Sequence, residues 1–553
     1  MKAYLGLLAA TLAGCGSCII DSAAAAPRCI GLAATANANS SVISATSTIV
    51  AASGGTPAHC QVDLLVRPVT KIRVGLPLSR ADGGSGGIQG AWNGKIQNLG
   101  GGVYQGTINP VTGPVTAGYV GSHTDTGHNA DWCNEINPQT GFPNSYPCPA
   151  IFGAGFVLDP SDNSQIDWQV EEFITRSLLK QTRWALTLTQ TYYGKSAERN
   201  YWNGCSTGGR QGFEMAQKYG HLFDGFLVGA PAMAWNRFVV GYMWPSVVIN
   251  QYLGPAGLPP SKYNAANDAA RAACDRIDGV ADGIVNEPRL CKFDARQLIC
   301  QAGQDPSTCL LPIEAVVVNQ IWKGPVNMRG QKLWGGIPRG TSFAQYVPTG
   351  LGTVLSDQYM RFWVERNPNF EWPAQMTMEN FPQYFQKSTR TFRDGLAETF
   401  STDLDVVRRR NAKIIHYHGV GDDLIPAFGS WKYASEVMQR YGVSETQSFM
   451  RSFFFPDNGH CGGGPAGTPL IDSGRLFKAL ENWVENDVAP DYVVARSSDN
   501  ARSRKICMYP NEARYKGRGD TDRAASFLCK VNDEEPTALA RDSVTAKLYR
   551  EAP

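Results

Sequence analysis

The chain has 553 residues, 43% hydrophobic and 18% charged, which is ample for a large buried core and too long for one simple domain. Lys and Arg number 51 against 49 Asp and Glu, so a formal net charge of +2 gives no electrostatic footing for nucleic acid or for strongly acidic partners. With 58 glycines and 33 prolines, many loops are expected, without low complexity and without an internal repeat.

Met1-Lys2 precede an apolar run from Ala3 to Leu12 and then small residues, the pattern of an export signal and too short to span a bilayer. Two processing sites compete. Leu12-Ala13-Gly14-Cys15 has the form of a bacterial lipobox, which would make Cys15 a lipid anchor. Ser22-Ala23-Ala24-Ala25-Ala26 offers an ordinary signal peptidase a site after Ala26. Residues 1–26 are read as the signal region, with the lipobox at Cys15 as the alternative boundary. The protein is then expected outside the cytoplasm, whether periplasmic, extracellular or an outer-membrane lipoprotein, with no membrane span.

From Val62 to Leu158, short apolar segments broken by Gly, Pro and Asn read as strands and loops. Gln165 to Tyr193 has apolar residues at helical spacing, at Val170, Phe173, Ile174, Leu178, Trp184 and Leu186. Glu171 and Glu172 fit an exposed face of that helix. Tyr201-Trp202 form a short strand that leads into Gly204-Cys205-Ser206-Thr207-Gly208-Gly209. Thr207 to Tyr219 reads as a helix, and Phe226 to Val228 as the next strand. Strand, tight turn at a serine, helix and strand is the order of an α/β-hydrolase. The texture then changes. From Trp235 to Phe400 the chain is rich in aromatics, Pro, Gly and local cysteine pairs, and it reads as an insertion forming a lid. The hydrolase pattern resumes with strands at Lys413–Gly419 and Phe453–Phe455 and an amphipathic helix carrying Leu476, Phe477, Leu480, Trp483 and Val484. The expected domains are thus residues 27–231 and 404–553 for the two parts of an α/β-hydrolase domain, and 232–403 for the lid.

Of 14 cysteines, Cys15 and Cys18 lie in the leader, and export permits the remaining twelve to pair. Sequence neighbours suggest Cys29–Cys60, Cys133–Cys148, Cys274–Cys291, Cys300–Cys309 and Cys507–Cys529, which leaves Cys205 and Cys461 for each other. That last pair matters most. Cys205 precedes Ser206, and Cys461 follows His460 in Asn458-Gly459-His460-Cys461-Gly462-Gly463. A disulfide there would hold the Cα atoms of the two cysteines roughly 4.4–6.8 Å apart and set the serine beside the histidine.

A serine hydroxyl needs a base to take its proton, and the base needs an orienting partner. Ser206 is the expected nucleophile and His460 the base. The acid is expected in His418-Gly419-Val420-Gly421-Asp422-Asp423, where Asp422 is favoured over the adjacent Asp423. Oxyanion donors are expected from the backbone N–H of Thr207 and from Gly101 or Gly102 in Leu99-Gly100-Gly101-Gly102-Val103. His123, His128, His416 and His418 read as structural. No organic cofactor and no catalytic zinc spacing is seen. In Cys274-Asp275-Arg276-Ile277-Asp278-Gly279-Val280-Ala281-Asp282-Gly283-Ile284, three carboxylates crowd one loop, an oxygen-rich chemistry that suits Ca²⁺ as a structural ion of the lid.

Long strings carry a further resemblance: Tyr201-Trp202-Asn203-Gly204-Cys205-Ser206-Thr207-Gly208-Gly209-Arg210-Gln211-Gly212, Gly459-His460-Cys461-Gly462-Gly463-Gly464 and Ala513-Arg514-Tyr515-Lys516-Gly517. The chain from about Cys29 to Cys529 resembles the tannase and feruloyl esterase family, with its Cys-Ser, Asp, His-Cys pattern. The resemblance implies a secreted serine esterase with calcium ligands at Asp275, Asp278, the Val280 carbonyl, Asp282 and the Ile284 carbonyl. It also implies an ester of an aromatic or phenolic acid as substrate, either small or borne on a plant polymer. Family members act on hydroxycinnamoyl esters, on galloyl esters or on a terephthalate monoester, and the feruloyl type is the reading preferred here. The terephthalate-acting type uses a lid arginine, for which Arg339 and Arg361 are candidates, and a Phe at the position of Ile425. A non-catalytic protein binding aromatics or polysaccharide on the same fold is the rival class.

Overall fold

The structure, a computed structural model, describes residues 28–128, 153–159, 161–347, 350–391 and 398–531. Both processing sites of the leader and the Cys133–Cys148 pair lie outside these residues. The centre is a nine-stranded sheet. Its strands are β1 (Val42–Val50), β2 (His59–Val66), β3 (Thr70–Pro77), β4 (Lys95–Leu99), β5 (Val120–Thr124), β6 (Arg199–Cys205), β7 (Gly225–Gly229), β8 (Lys413–Gly419) and β9 (Met450–Phe455), in the order β1-β2-β3-β5-β4-β6-β7-β8-β9. The first three strands and β5 pair antiparallel. From β5 across to β9 every pairing is parallel.

Burial follows this arrangement. Along β2 it alternates, as it does when one face of a strand meets the core. Strands β7 and β8 are buried at every residue, because helices cover both faces of a parallel sheet. The helix Thr207–Tyr219 packs on one face, and Ser473–Asn486 buries Leu476, Phe477, Leu480 and Trp483 against the other. The helical stretch expected from Gln165 runs from Asp167 to Tyr193 with a π-helical segment, Glu172–Arg176, inside it. Glu172 is not on an exposed face. It is buried, accepting hydrogen bonds from Thr70 and paired with Lys180. The wider π turn carries that side chain inward, which uniform helical spacing does not foresee.

Between β7 and β8 the chain builds a largely helical insertion that includes Trp235–Gly241, Trp244–Leu253, Pro260–Cys274, Pro312–Lys323, Leu351–Tyr359 and Phe381–Thr391. Its aromatics form one core with Tyr104, Phe156 and Phe173 of the sheet domain, so the insertion is packed onto the sheet domain. Side chains tie it to the loop after β8: Tyr346 Oη donates to the Leu424 carbonyl, Tyr242 Oη to the Pro426 carbonyl at 3.1 Å, and Thr341 Oγ1 to the Val420 carbonyl at 3.3 Å. This is an α/β-hydrolase fold with a lid.

Because β6, β8 and β9 are parallel, their carboxyl ends fall on one edge of the sheet. Ser206, Asp422 and His460 all follow those ends.

Candidate active site

Ser206 occupies the turn between β6 and the helix Thr207–Tyr219 with φ 65° and ψ −128°, a conformation a non-glycine residue holds only where its surroundings demand it. Its N–H donates to the Gly229 carbonyl (2.9 Å), and its own carbonyl accepts from Arg210 N–H and Ala232 N–H (both 3.0 Å). The turn is so tight that side chains are excluded around it. A Cβ on Gly204 would lie 2.4 Å from the Gly208 carbonyl oxygen, and one on Gly100 would lie 2.4 Å from Gly208 Cα. The run of small residues is therefore steric, letting the helix cross directly over the strand ends.

Cys205 and Cys461 are bonded, with Cα atoms 5.9 Å apart across a sequence separation of 256. The expected pairs Cys29–Cys60, Cys274–Cys291, Cys300–Cys309 and Cys507–Cys529 are also bonded. Cys461 has φ 60°, so the staple joins one residue in an unusual backbone conformation to Cys205, the neighbour of the strained Ser206.

His460 Nδ1 lies 2.8 Å from Asp422 Oδ2. Asp422 is fully buried, and its other oxygen accepts from Leu424 N–H (2.9 Å) and Ile425 N–H (2.7 Å). Of the two adjacent aspartates, Asp422 is the one that meets the histidine. Asp423 is raised above the ordinary carboxylate range by burial and by the charge of Asp422.

His418, expected to be merely structural, is a second partner of that carboxylate. Its Nε2 lies 3.2 Å from Asp422 Oδ2 and 2.7 Å from the Ile425 carbonyl. A carbonyl only accepts, so Nε2 carries the proton and Nδ1 accepts from Ser430 Oγ at 2.7 Å. Ser430 also bonds His416 Nε2 (3.1 Å), whose Nδ1 meets Ser452 Oγ (3.0 Å). Burial and the neighbouring His418 push His416 down to about 3, so it stays neutral. One signal was in the sequence: His416 and His418 are two apart on a strand, hence on one face, and Asp422 follows directly.

Burial opposes ionisation of Asp422, but the charge of His460 and hydrogen bonds from His418 and His460 outweigh it and hold the carboxyl well below its usual range. Burial likewise lowers His460, and the Asp422 charge and hydrogen bond more than reverse this, so the imidazole is raised above 6.5.

The glycine turn differs from expectation. Gly101 N–H donates to Gln211 Oε1 (2.8 Å), and Gly102 N–H to Gln105 Oε1 (2.7 Å). Both glutamines are buried, and their amide oxygens require donors there, so neither glycine N–H stands open as an oxyanion donor. Thr207 is the first residue of its helix, where an N–H has no intrahelical acceptor. Its Oγ1 donates to the Val103 carbonyl (2.7 Å), joining the glycine turn to the serine turn.

A cavity opens at Ser206 and Thr207, walled by Val103, Trp235, Phe238, Leu424 and Ile425 among others. The two arginine candidates are elsewhere. Arg339 stacks on Trp322 in a separate cleft with Lys292 and Lys323, and Arg361 pairs with Asp357 (2.7 Å) and donates to the Pro368 carbonyl.

In the loop from Asp275 to Ile284 the carboxylates face inward. Asp275 accepts from Asp282 N–H and Gly283 N–H, Asp278 from Val280 N–H and Asn286, and Asp282 pairs with Arg504. As they stand, no three metal-binding side chains among the described residues converge on one point. The chemistry nonetheless fits a hard cation. Burial above all, with the charges of Asp282 and Asp275, pushes Asp278 up to about 6, a repulsion that a bound cation would relieve.

Residues 88–530 match the model of the family described as tannase and feruloyl esterase. The chain belongs to that family. A probable feruloyl esterase of Arthroderma benhamiae is 33% identical over 460 residues, covering 79% of this chain and 80% of that protein. The mono(2-hydroxyethyl) terephthalate hydrolase of Piscinibacter sakaiensis is 27% identical over 561 residues, covering 87% and 86%. The crystal structure of feruloyl esterase B from Aspergillus oryzae superposes with a TM-score of 0.73 at 23% identity, covering 90% of this chain and 98% of that one. As a member of the tannase and feruloyl esterase family, this protein is a carboxylic ester hydrolase, which sets aside the non-catalytic rival. Among its described residues no helix is long and apolar enough to cross a membrane.

The electrostatics of the His460–Asp422 pair can be read directly. In an NMR titration the His460 imidazole should titrate above pH 6.5. In Asp422→Asn that charge is gone and burial is opposed only by the weaker charge of Asp423, so the midpoint should fall. A midpoint unmoved by the substitution would contradict the pairing.

Proposed function

We propose that the protein is a serine esterase acting on esters of aromatic or phenolic carboxylic acids through an acyl-enzyme. The observation that carries this reading is Ser206 on a strained turn, crosslinked through Cys205 and Cys461 to a histidine that Asp422 holds by Nδ1. Ser206 Oγ attacks the ester carbonyl and His460 takes its proton. Asp422 keeps the imidazole in the Nδ1–H tautomer and stabilises the imidazolium. The Thr207 N–H, at the positive end of its helix, supports the oxyanion. The alcohol leaves with the proton from His460. Water, deprotonated by the same histidine, then releases the acid.

The aromatic walls of the cavity at Ser206 and the names of the related feruloyl esterases support an aromatic acyl group. Five disulfides among the described residues support an oxidising, extracytoplasmic compartment. We also propose that the loop from Asp275 to Ile284 takes a structural Ca²⁺. Asp275, Asp278, Asp282 and the Val280 and Ile284 carbonyls would be its ligands, in a loop that Cys274–Cys291 fastens to the preceding helix. The ion would stabilise the lid and take no part in the ester chemistry.

Ser206→Ala should lower turnover by about 10⁶-fold while leaving Tm unchanged, and should abolish labelling by a fluorophosphonate probe. Wild-type rates in that variant would refute the mechanism. Chelation of divalent cations should lower Tm by a few degrees, with Ca²⁺ restoring it. A Tm indifferent to chelator and to Ca²⁺ would dismiss the ion.

A further inference from the structure

The lid carries a second concavity that shares no lining residue with the one at Ser206. It is a cleft of about 600 Å³ between the helix Pro312–Lys323 and the segments that hold residues 292–296, 332 and 339. Five of its described lining side chains are cations, Lys292, Arg296, Lys323, Lys332 and Arg339, and one is a carboxylate, Asp294. The chain as a whole carries only +2, so this is a local concentration of charge. Asp294 does not neutralise it. That carboxylate is taken by Arg296 in a two-point ion pair and by Asn319 Nδ2 at 2.8 Å.

Arg339 is the residue around which the cleft is built. It is half-buried, its Nε donates to the Phe293 carbonyl at 2.8 Å, and its guanidinium lies over Trp322, 5.3 Å from the ring centre. Ring and carbonyl fix the plane of the fork. Its two terminal amino groups meet no acceptor among the described residues and stay open to solvent. Burial lowers Arg339 from its ordinary value, with the charge of Asp294 opposing. A guanidinium so placed has lost water without gaining a carboxylate in contact. Lys292 and Lys323 have no ion-pair partner among the described residues either. Lys323 ends its helix, where a cation also answers the helix dipole. Lys292 and Arg339 lie on irregular chain and answer no dipole.

We propose that this cleft binds an acidic oligosaccharide, a short chain of uronate sugars, with the Arg339 fork on one ring carboxylate and Lys292 and Lys323 on its neighbours. The volume, and cations drawn from separate chain segments, suit several anionic groups in a row better than a single ion. Carboxylate suits the cleft better than phosphate. The helix that walls it brings its C-terminal end there at Lys323, and that partial negative charge opposes a dianion most. A sugar suits it better than a peptide. The walls offer no strand edge for an extended backbone, and cations ring the place where a docked helix would need an apolar groove. The side-chain amide of Gln320, unpaired among the described residues, is left for ring hydroxyls. The site is independent of the chemistry at Ser206 and stands whether or not the esterase reading does.

Isothermal titration calorimetry on the intact chain at low salt tests this, with oligogalacturonate as the probe. A neutral oligosaccharide of the same length, inorganic phosphate and an oligoglutamate are titrated for comparison. We expect oligogalacturonate to bind, its affinity to fall about tenfold when salt is raised from low to moderate, and the three comparisons to bind at least about tenfold more weakly. Arg339→Gln should weaken the oligogalacturonate complex about tenfold or more, and Lys292→Gln about threefold. Tm is measured in parallel to show that each variant is folded, and Lys292 is exposed, so its variant reads the site even if Arg339→Gln does not fold. Three results overturn the proposal: no binding of oligogalacturonate, equal or tighter binding of any of the three comparisons, or undiminished binding in either folded variant.

Discussion

The bond between Cys205 and Cys461 is the constraint on which the rest of the site depends. It joins the end of β6 to the loop after β9, strands separated in the sheet by β7 and β8. Chain entropy assigns a crosslink over a separation of 256 about 5 kcal/mol as an upper bound, because the folded neighbourhood and the nested lid disulfides shorten the effective loop. Its local consequence is greater. Ser206 is in a strained conformation and His460 lies on an irregular loop, so neither is placed by regular secondary structure. The crosslink fixes the one against the other, and the glycines at 100, 204 and 208 let the backbone approach that makes it possible.

Polar satisfaction extends this order outward from the site. Asp422 accepts from two main-chain N–H groups and from two histidines, and the second histidine leads through Ser430 to His416 and Ser452. Apart from the partly exposed His460 these groups are buried, and each finds a partner, so the carboxylate is held in one orientation by a network and not by one bond. Several lid tyrosines and serines reach main-chain carbonyls, two of them on the very loop that carries Asp422. Lid position and acid position are thus mechanically joined.

Much of this was legible in the sequence where local chemistry decides the outcome. Gly-Cys-Ser-Thr-Gly-Gly after a short strand points to a tight turn, and β6, its helix and β7 follow with nearly the expected bounds. Leu476, Phe477, Leu480 and Trp483 are spaced for one helix face and are buried on it. What sequence did not show depends on partners distant in the chain. Glu172 turns inward because Lys180 and Thr70 await it there. The Gly101 and Gly102 N–H groups are taken by Gln211 and Gln105, and no glycine run announces which side chain will fill it. His418 looked like any histidine on a buried strand, and its contact with Asp422 needs the turn after β8 to fold back.

The measurement that tests the central claim most directly is the steady-state kinetics of a Cys205→Ala/Cys461→Ala double variant, on a substrate the wild type turns over well. Loss of the crosslink should cost kcat about a hundredfold, through misplacement of His460 relative to Ser206, while KM moves little because most of the cavity wall belongs to other elements. A double variant that folds and keeps the wild-type kcat would show that the sheet and its loops place the two residues unaided, and the crosslink would then lose the role given to it.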